Sequence, residues 1–274
     1  MTTITQTSLT VPGATLYYEL RGSGPLVVLA GAPMDADSFA PLAELLAADH
    51  TVLTTDPRAI NRSQVEDRDQ DSTPAQRADD LSRLIAHVDA GPAVVFGSSG
   101  GAVSALALAQ AHPEQLTAVI AHEPPVVGLL DDAATVHAGT DQLCATYLAG
   151  DVLGAWRMFF AQANLAIPDE ALAMMFGGDR DPRAVADERF WFEHELRPST
   201  HWMPDPAVLR SAGIQVLVGI GQESSGQLCD HTSRRLAAAL GVQPTLFPGD
   251  HTGFAEGPEA FAVVLRDVLR RIHA

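Results

Sequence analysis

A serine stands among glycines where a predicted strand leads into a predicted helix. Residues 97–101 read Gly-Ser-Ser-Gly-Gly, after the apolar strand at 93–96 and before the helix at 101–111. Such a turn is typical of a nucleophilic serine, and the positive end of the following helix favours a developing anion. The flanking glycines are needed because side chains there would collide with the strand or the helix. We predict that Ser99 is the catalytic nucleophile and that Ser98 points elsewhere.

The type of nucleophile indicates the class of reaction. Enzymes that open epoxides or displace halide from such a turn use aspartate, because they form an alkyl ester by displacement. An alcohol such as Ser99 attacks a carbonyl carbon instead and forms an acyl-enzyme. The sequence therefore predicts hydrolysis of a carboxylic ester or lactone.

A histidine follows the last predicted strand. The strand at 244–247 leads into Pro-Gly-Asp-His, which places His251 just after a glycine-containing turn. A base for the serine is expected at this place. We predict that His251 takes the proton from Ser99. His122 and His231 lie near other loops of interest, and we interpret them as structural.

The second donor to a developing oxyanion is expected in the loop after the strand at 26–30. Residues 30–33 read Ala-Gly-Ala-Pro, where the commoner pattern is His-Gly-x-Pro. Ala30 removes a loop-bracing histidine but leaves the backbone N–H groups in place. We predict that the amides of Ala32 and Gly100 form the oxyanion hole, each worth roughly 3 kcal/mol to the barrier.

Two glutamates compete for the role of the acid that orients His251. Glu223 follows the strand at 214–218, which is the usual place, but its neighbours are polar and indicate a solvated loop. Glu123 directly follows the strand at 117–121 and precedes two prolines. The acid needs a rigid, partly buried position to fix the imidazole tautomer, which favours Glu123 and leaves Glu223 as the alternative.

Short apolar strands alternate with amphipathic helices along most of the chain, which is the pattern of βαβ units. We predict an α/β fold in which a mostly parallel central sheet is flanked by helices. The predicted strands are 15–20, 26–30, 50–55, 93–96, 117–121, 214–218 and 244–247, and the predicted helices are 39–48, 74–90, 101–111, 233–240 and 258–272.

One long stretch interrupts this alternation. Residues 127–207 contain all three tryptophans and show helical spacing throughout. We predict a core domain of residues 1–126 and 208–274, into which 127–207 is inserted as a helical cap (lid). The candidate walls of an apolar substrate pocket are Trp191, Phe192 and Trp202.

The composition narrows the class of partner. The chain of 274 residues has 34 acidic residues against 17 basic ones, all of them arginine, and its net charge is -17. That charge repels nucleic acid and anionic membranes, so neither is expected as a partner. No pattern typical of a metal site or a nucleotide cofactor is present, and no cofactor is expected. A cytoplasmic location is expected, and the sequence leaves a homodimer open.

Taken together, these segments resemble the α/β-hydrolase fold superfamily, and within it the zearalenone-hydrolase (lactonase) type. The resemblance implies that Glu123 is the triad acid and that a lactone is one substrate class. In the loop after Asp56, Ala59 stands where the family usually has glycine. The matching segments are Tyr17-Tyr18-Glu19, Asp56 with Arg62-Ser63, Ser98-Ser99-Gly100, His122-Glu123-Pro124-Pro125 and Gly249-Asp250-His251.

Other functions would use the same residues. Hydrolysis of a C–C bond and a cofactor-free perhydrolase (haloperoxidase) reaction both run on this kind of triad. A ligand receptor that keeps a hydrolase shell with little turnover belongs to a different class. Intact Ser99 and His251 favour an enzyme, and fold alone does not decide among these reactions.

Overall fold

The computed structural model describes residues 3–273. Its strands are β1 (Ile4–Val11), β2 (Ala14–Arg21), β3 (Leu26–Ala30), β4 (Thr51–Thr55), β5 (Gln64–Val65), β6 (Ala93–Ser98), β7 (Leu116–His122), β8 (Gln215–Gly221) and β9 (Thr245–Phe247). Its α-helices are α1 (Ala36–Leu46), α2 (Pro74–Val88), α3 (Gly100–Ala111), α4 (Ala133–Leu148), α5 (Val152–Ala163), α6 (Asp169–Phe176), α7 (Pro182–Phe190), α8 (Leu196–His201), α9 (Pro206–Ser211), α10 (Leu228–Leu240), α11 (Gly253–Glu256) and α12 (Pro258–Ile272).

The strands form one sheet in the order β1-β2-β4-β3-β6-β7-β8-β9, with β5 paired to β2. Neighbouring strands from β4 to β9 in this order run parallel, whereas β1 and β2 are antiparallel to their neighbours. The predicted α/β fold with a mostly parallel sheet is therefore confirmed. Strand β1 is absent from the predicted strands. Nearly all of its side chains are exposed, so its sequence contains no apolar run.

Two hydrophobic clusters lie on opposite faces of the sheet. In β3, Leu26 and Val28 belong to one cluster, while Val27 and Leu29 belong to the other. This alternation follows from the two-residue repeat of a strand, and both faces are apolar because helices cover both. Helices α2, α3 and α10 contribute to the first cluster and α1 and α12 to the second. The carboxyl ends of the parallel strands remain open for a site.

The chain leaves the sheet at the end of β7 and returns at β8. Between them, residues 127–211 carry helices α4 to α9, and we call this segment the helical insertion. Its interior is aromatic: the Tyr147 and Phe192 rings are stacked 4.1 Å apart, and Trp156 stacks on Trp191 at 5.3 Å. The five residues Trp191–Glu195 form a π-helical segment that leads from α7 into α8.

Candidate active site

Ser99 sits at the tip of a strained turn between β6 and α3. Its φ of 55° and ψ of -124° lie outside the helical and strand regions, and its N–H donates to the carbonyl of His122 at 3.0 Å. Left-handed φ values are costly for residues other than glycine and are typical of functional sites. Side chains at Gly97 and Gly101 would collide with the carbonyls of Gly101 and Ala30, as the sequence predicts for this turn.

The two predicted oxyanion donors are neighbours. Ala32 and Gly100 both line the same cavity as Ser99. A Cβ at Gly100 would collide with the carbonyl oxygen of Ala32, so only glycine lets the two backbones approach this closely. Gly100 is the first residue of α3, where N–H groups have no partner within the helix and are available to an anion.

An ion pair between the buried Asp56 and the partly exposed Arg62 holds the loop that carries Ala32. One oxygen of the fully buried Asp56 accepts from the N–H of Ala36, the first residue of α1, at 2.9 Å. Both oxygens also bind the Arg62 guanidinium, at 2.7 Å to Nε and 2.9 Å to Nη2. In the loop that follows Asp56, Ala59 adopts a left-handed φ of 62°, so it takes the conformation that glycine adopts more readily.

Glu123 lies at the end of β7 and is completely buried. Its Oε2 is 2.6 Å from Nδ1 of His251, and its Oε1 accepts from the N–H of Gly221 at 2.8 Å. Burial alone would raise the pKa of this carboxyl, but chiefly the hydrogen bond and charge of His251 lower it to about 2. The group is therefore an anion that can only accept hydrogen bonds at neutral pH.

This arrangement assigns the protons on His251. Because the Glu123 carboxylate accepts, Nδ1 of His251 carries the hydrogen and Nε2 is left as the basic nitrogen. His251 lines the cavity together with Ser99. An imidazole held in this tautomer is what the activation of a nucleophilic serine requires.

The alternative acid occupies a different environment. Glu223 is exposed, and its N–H donates to the Gly249 carbonyl at 3.0 Å. The bond from Nδ1 of His251 goes to Glu123. The geometry thus supports Glu123 in the orienting role and places Glu223 at the surface.

His122 is a buried histidine that the proposed chemistry does not use. Its Nδ1 lies 3.1 Å from the Ser98 hydroxyl, and its ring packs among Phe96, Phe247 and Phe261. Burial lowers the pKa of His122 to about 4, so the ring is neutral at physiological pH. These contacts explain why Ser98 points away from the cavity, and they agree with the interpretation of His122 as structural.

A cavity of about 490 Å³ opens beside Ser99 and His251. Trp191 lines it, as the sequence predicts. The prediction is corrected for two other aromatic residues. Phe192 is buried against Tyr147 inside the helical insertion, and Trp202 packs against the sheet's own hydrophobic cluster. The apolar walls are supplied mainly by Leu143, Phe159, Phe160, Leu165, Ile167, Met175 and Leu196.

Two supporting groups lie outside the predicted set of site residues. One is the amide of Gly221, which holds Glu123; its signal is a glycine at the end of a buried strand, where another backbone approaches closely. The other is the carboxylate of Asp56, which holds the loop of Ala32 and lies in a segment that carries the family resemblance. Gly221 lies 98 residues from Glu123 and Asp56 lies 20 residues from Ala36, so spacing does not reveal these two contacts.

The described residues were compared with what a metal site and a membrane span would need. Within residues 3–273, no three or more His, Cys, Asp or Glu side chains are grouped so that they could hold a metal ion. Across the same residues, no helix is both long and apolar enough to cross a bilayer.

Comparison with known proteins gives consistent matches. The model of the α/β hydrolase fold family matches residues 24–151. A protein of Bacillus subtilis (strain 168) named "uncharacterized hydrolase YraK" is 30% identical over 276 residues, which cover 98% of this chain and 97% of the relative. The zearalenone hydrolase of Bionectria ochroleuca is 25% identical over 272 residues, covering 94% and 95% of the two chains.

A solved structure shares the fold. The thermophilic esterase from Thermogutta terrifontis, with malate bound, superposes with a TM-score of 0.72 and 20% sequence identity. The match covers 98% of this chain and 100% of that one. At this identity the similarity concerns the fold alone.

Proposed function

This chain belongs to the α/β hydrolase fold family, and we propose that it is a serine hydrolase that cleaves a carboxylic ester or lactone of a largely apolar small molecule. The observation that carries the proposal is the buried Glu123 carboxylate, bonded to His251 at 2.6 Å beside the strained Ser99. This relay leaves Nε2 of His251 as the base in a cavity that Ser99 also lines, and acyl transfer needs such a base together with an alcohol.

The proposed reaction proceeds in two stages. His251 Nε2 takes the proton of Ser99 as Oγ attacks the carbonyl carbon, and the amides of Ala32 and Gly100 stabilise the oxyanion. The protonated imidazole then gives its proton to the leaving alkoxide, and an acyl group remains on Ser99. Water, deprotonated by His251, attacks the acyl-enzyme and releases the acid.

The nucleophile favours this reaction over epoxide opening. Epoxide hydrolysis on this fold uses a carboxylate that forms an alkyl ester, and here the position holds Ser99 at the entrance to α3. The amides proposed as donors, those of Ala32 and Gly100, would suit a tetrahedral oxyanion derived from a carbonyl group.

Of the two proposed substrate classes, the lactone has its own support. One relative with near complete coverage is a zearalenone hydrolase, and the Glu123 segment is part of that resemblance. A cyclic ester with an apolar body would suit an apolar cavity of about 490 Å³, because such pockets commonly enclose most of a ligand's surface.

The test is hydrolysis of p-nitrophenyl esters of graded chain length, with zearalenone as the lactone and styrene oxide as the epoxide. We expect turnover of the esters, and an acyl adduct on Ser99 that mass spectrometry detects after rapid quenching. Ser99→Ala should lower kcat by about 10⁵-fold or more, whereas Ser98→Ala should retain most of it. Ester hydrolysis retained in Ser99→Ala, or turnover of the epoxide alone, would overturn the proposal.

A further inference from the structure

The helical insertion presents three polar side chains to an otherwise apolar cavity wall: Gln162, Ser199 and Thr200. Two of them bond within the insertion. The amide of Gln162 donates to the Thr140 hydroxyl at 2.9 Å, and the Thr200 hydroxyl donates to the Leu196 carbonyl at 3.0 Å. The hydroxyl hydrogen of Thr200 is used in its bond, whereas the Gln162 amide keeps a second N–H.

Ser199 differs from these two residues. Its Oγ accepts a hydrogen bond from Nη2 of Arg77 at 2.8 Å. Among residues 3–273, this is the only bond of that hydroxyl, so its own hydrogen has no protein acceptor. Because Ser199 is buried and lines the cavity, the donor is available to a bound molecule rather than to bulk water.

Arg77 strengthens Ser199 as a donor. The guanidinium of Arg77 is buried on α2, and its other partners are neutral oxygens of Ser72 and Ser104. A hydroxyl that accepts from a cation becomes a better donor, since hydrogen bonds in a chain polarise one another. The Ser104 hydroxyl in turn donates to the Gly100 carbonyl at 3.0 Å. Hydrogen bonds through Arg77 and Ser104 thus connect Ser199 to α3, the helix that follows Ser99.

The π-helical segment directs this donor to the cavity. The N–H of Leu196 donates to the carbonyl of Trp191, five residues earlier, instead of four as in an α-helix. The wider turn brings Trp191 and Leu196 to the same wall, and Ser199 follows Leu196 by three residues on that face. The distortion therefore places two apolar side chains and one donor together.

We propose that Ser199 is a specificity-determining residue, which donates a hydrogen bond to a substrate oxygen separate from the scissile carbonyl. The inference rests on the proposed hydrolase function and refines its substrate class. The preferred substrate has an apolar body with one additional acceptor, such as a ketone, ether or hydroxyl oxygen. The apolar side chains around Ser199 bind that body, and the Ser199 hydroxyl fixes its orientation at this wall.

The experiment uses p-nitrophenyl octanoate and a series of its analogues, each with one ketone at a successive position from carbon 5 to carbon 7 of the acyl chain, too far from the ester to activate it. The quantity compared is the ratio of kcat/KM for each keto ester to kcat/KM for the octanoate. For the wild-type protein we expect one position to be preferred about tenfold, the effect of one well-placed hydrogen bond. In Ser199→Ala that ratio should fall to about one.

Ser233→Ala is the matched control. Ser233 is also a buried helical serine that lies outside the cavity, and its hydroxyl has no partner within the described part of the chain. We expect this variant to keep the wild-type ratio. Because each ratio is measured on one preparation, any loss of folded protein cancels.

The outcomes separate this inference from the proposed function. If the octanoate is not hydrolysed at all, the ester hydrolase proposal fails. If it is hydrolysed but no keto position is preferred, or the preference survives in Ser199→Ala, the role of Ser199 is refuted while the hydrolase proposal stands.

Discussion

Oε2 of Glu123 lies 2.6 Å from Nδ1 of His251, although 128 positions separate them in the sequence. The bond passes over the end of β8, which lies between β7 and β9 in the sheet. Gly221 makes this passage possible: its N–H binds Glu123, and a Cβ there would lie 2.7 Å from the backbone of Asp250. A glycine at the end of the intervening strand therefore lets the carboxylate and the imidazole meet.

Replacing Glu123 tests this relay. Glu123→Gln keeps the size of the side chain but removes the charge that fixes the imidazole tautomer. We expect kcat for a p-nitrophenyl ester to fall about 10³- to 10⁴-fold, with little change in KM. Glu223→Gln is the control because Glu223 is exposed, and it should behave as the wild-type protein does. A large loss in Glu223→Gln with little in Glu123→Gln would reverse the assignment.

Gly100→Ala tests the oxyanion hole. The added methyl group would collide with the Ala32 carbonyl and separate the two amides. We expect kcat to fall by at least about 10²-fold, as on loss of one oxyanion donor. Gly257→Ala is the matched control, since its Cβ would meet only the Gly253 carbonyl at 3.8 Å. Equal kcat values in the two variants would contradict the assignment of the hole.

Asp56→Asn tests the support of the loop that carries Ala32. Asp56 is fully buried against Arg62, and removal of its charge leaves the guanidinium without this partner. We expect the free energy of unfolding in urea to fall by about 3 kcal/mol, accompanied by a lower kcat. Asp37 binds the same Arg62 at 3.0 Å but is exposed, so Asp37→Asn should cost less than about 1 kcal/mol. Similar losses in both variants would refute the special role of Asp56.

Glu195 on the π-helical segment gives the protein a pH-dependent stability. Its two carboxyl oxygens are buried and have no hydrogen-bond partner among residues 3–273. Burial, only partly offset by the charge of Arg77, raises its pKa to about 7. In the unfolded chain the group ionises near its ordinary value of 4.5. As the pH rises from about 4.5 to 7, the unfolded state loses the proton first, so the folded state becomes less stable over this window.

Glu195→Gln removes this titration. We expect the variant to be more stable than the wild-type protein by on the order of 3 kcal/mol at pH 8, and the difference to vanish near pH 4. Urea unfolding at both pH values measures it. Glu123 acts with the opposite sign: its folded pKa of about 2 contributes stability above about pH 4.5, which is lost as the pH falls towards 2. A constant difference between Glu195→Gln and wild type at all pH values would contradict the assignment.

The local sequence was sufficient to predict the nucleophile turn and the fold class. Gly97 and Gly101 are required by collisions with backbone a few residues away, and strand-helix alternation follows from apolar runs. Both signals are short-range, so the chain displays them directly. The same reasoning placed His251 after the last strand, and the family resemblance added weight to Glu123.

The tertiary structure decided which side chains face the cavity and which groups meet across the sheet. Trp191 and Phe192 are adjacent aromatic residues, yet of these two only Trp191 lines the cavity. The π-helical segment and the stack on Tyr147 turn the Phe192 ring into the interior of the helical insertion. The contacts of Glu123 with His251 and of Arg77 with Ser199 join residues 128 and 122 positions apart. No periodic pattern in the sequence predicts contacts between residues so far apart in the chain. These contacts depend on strand order and on the packing of the helical insertion over the sheet edge.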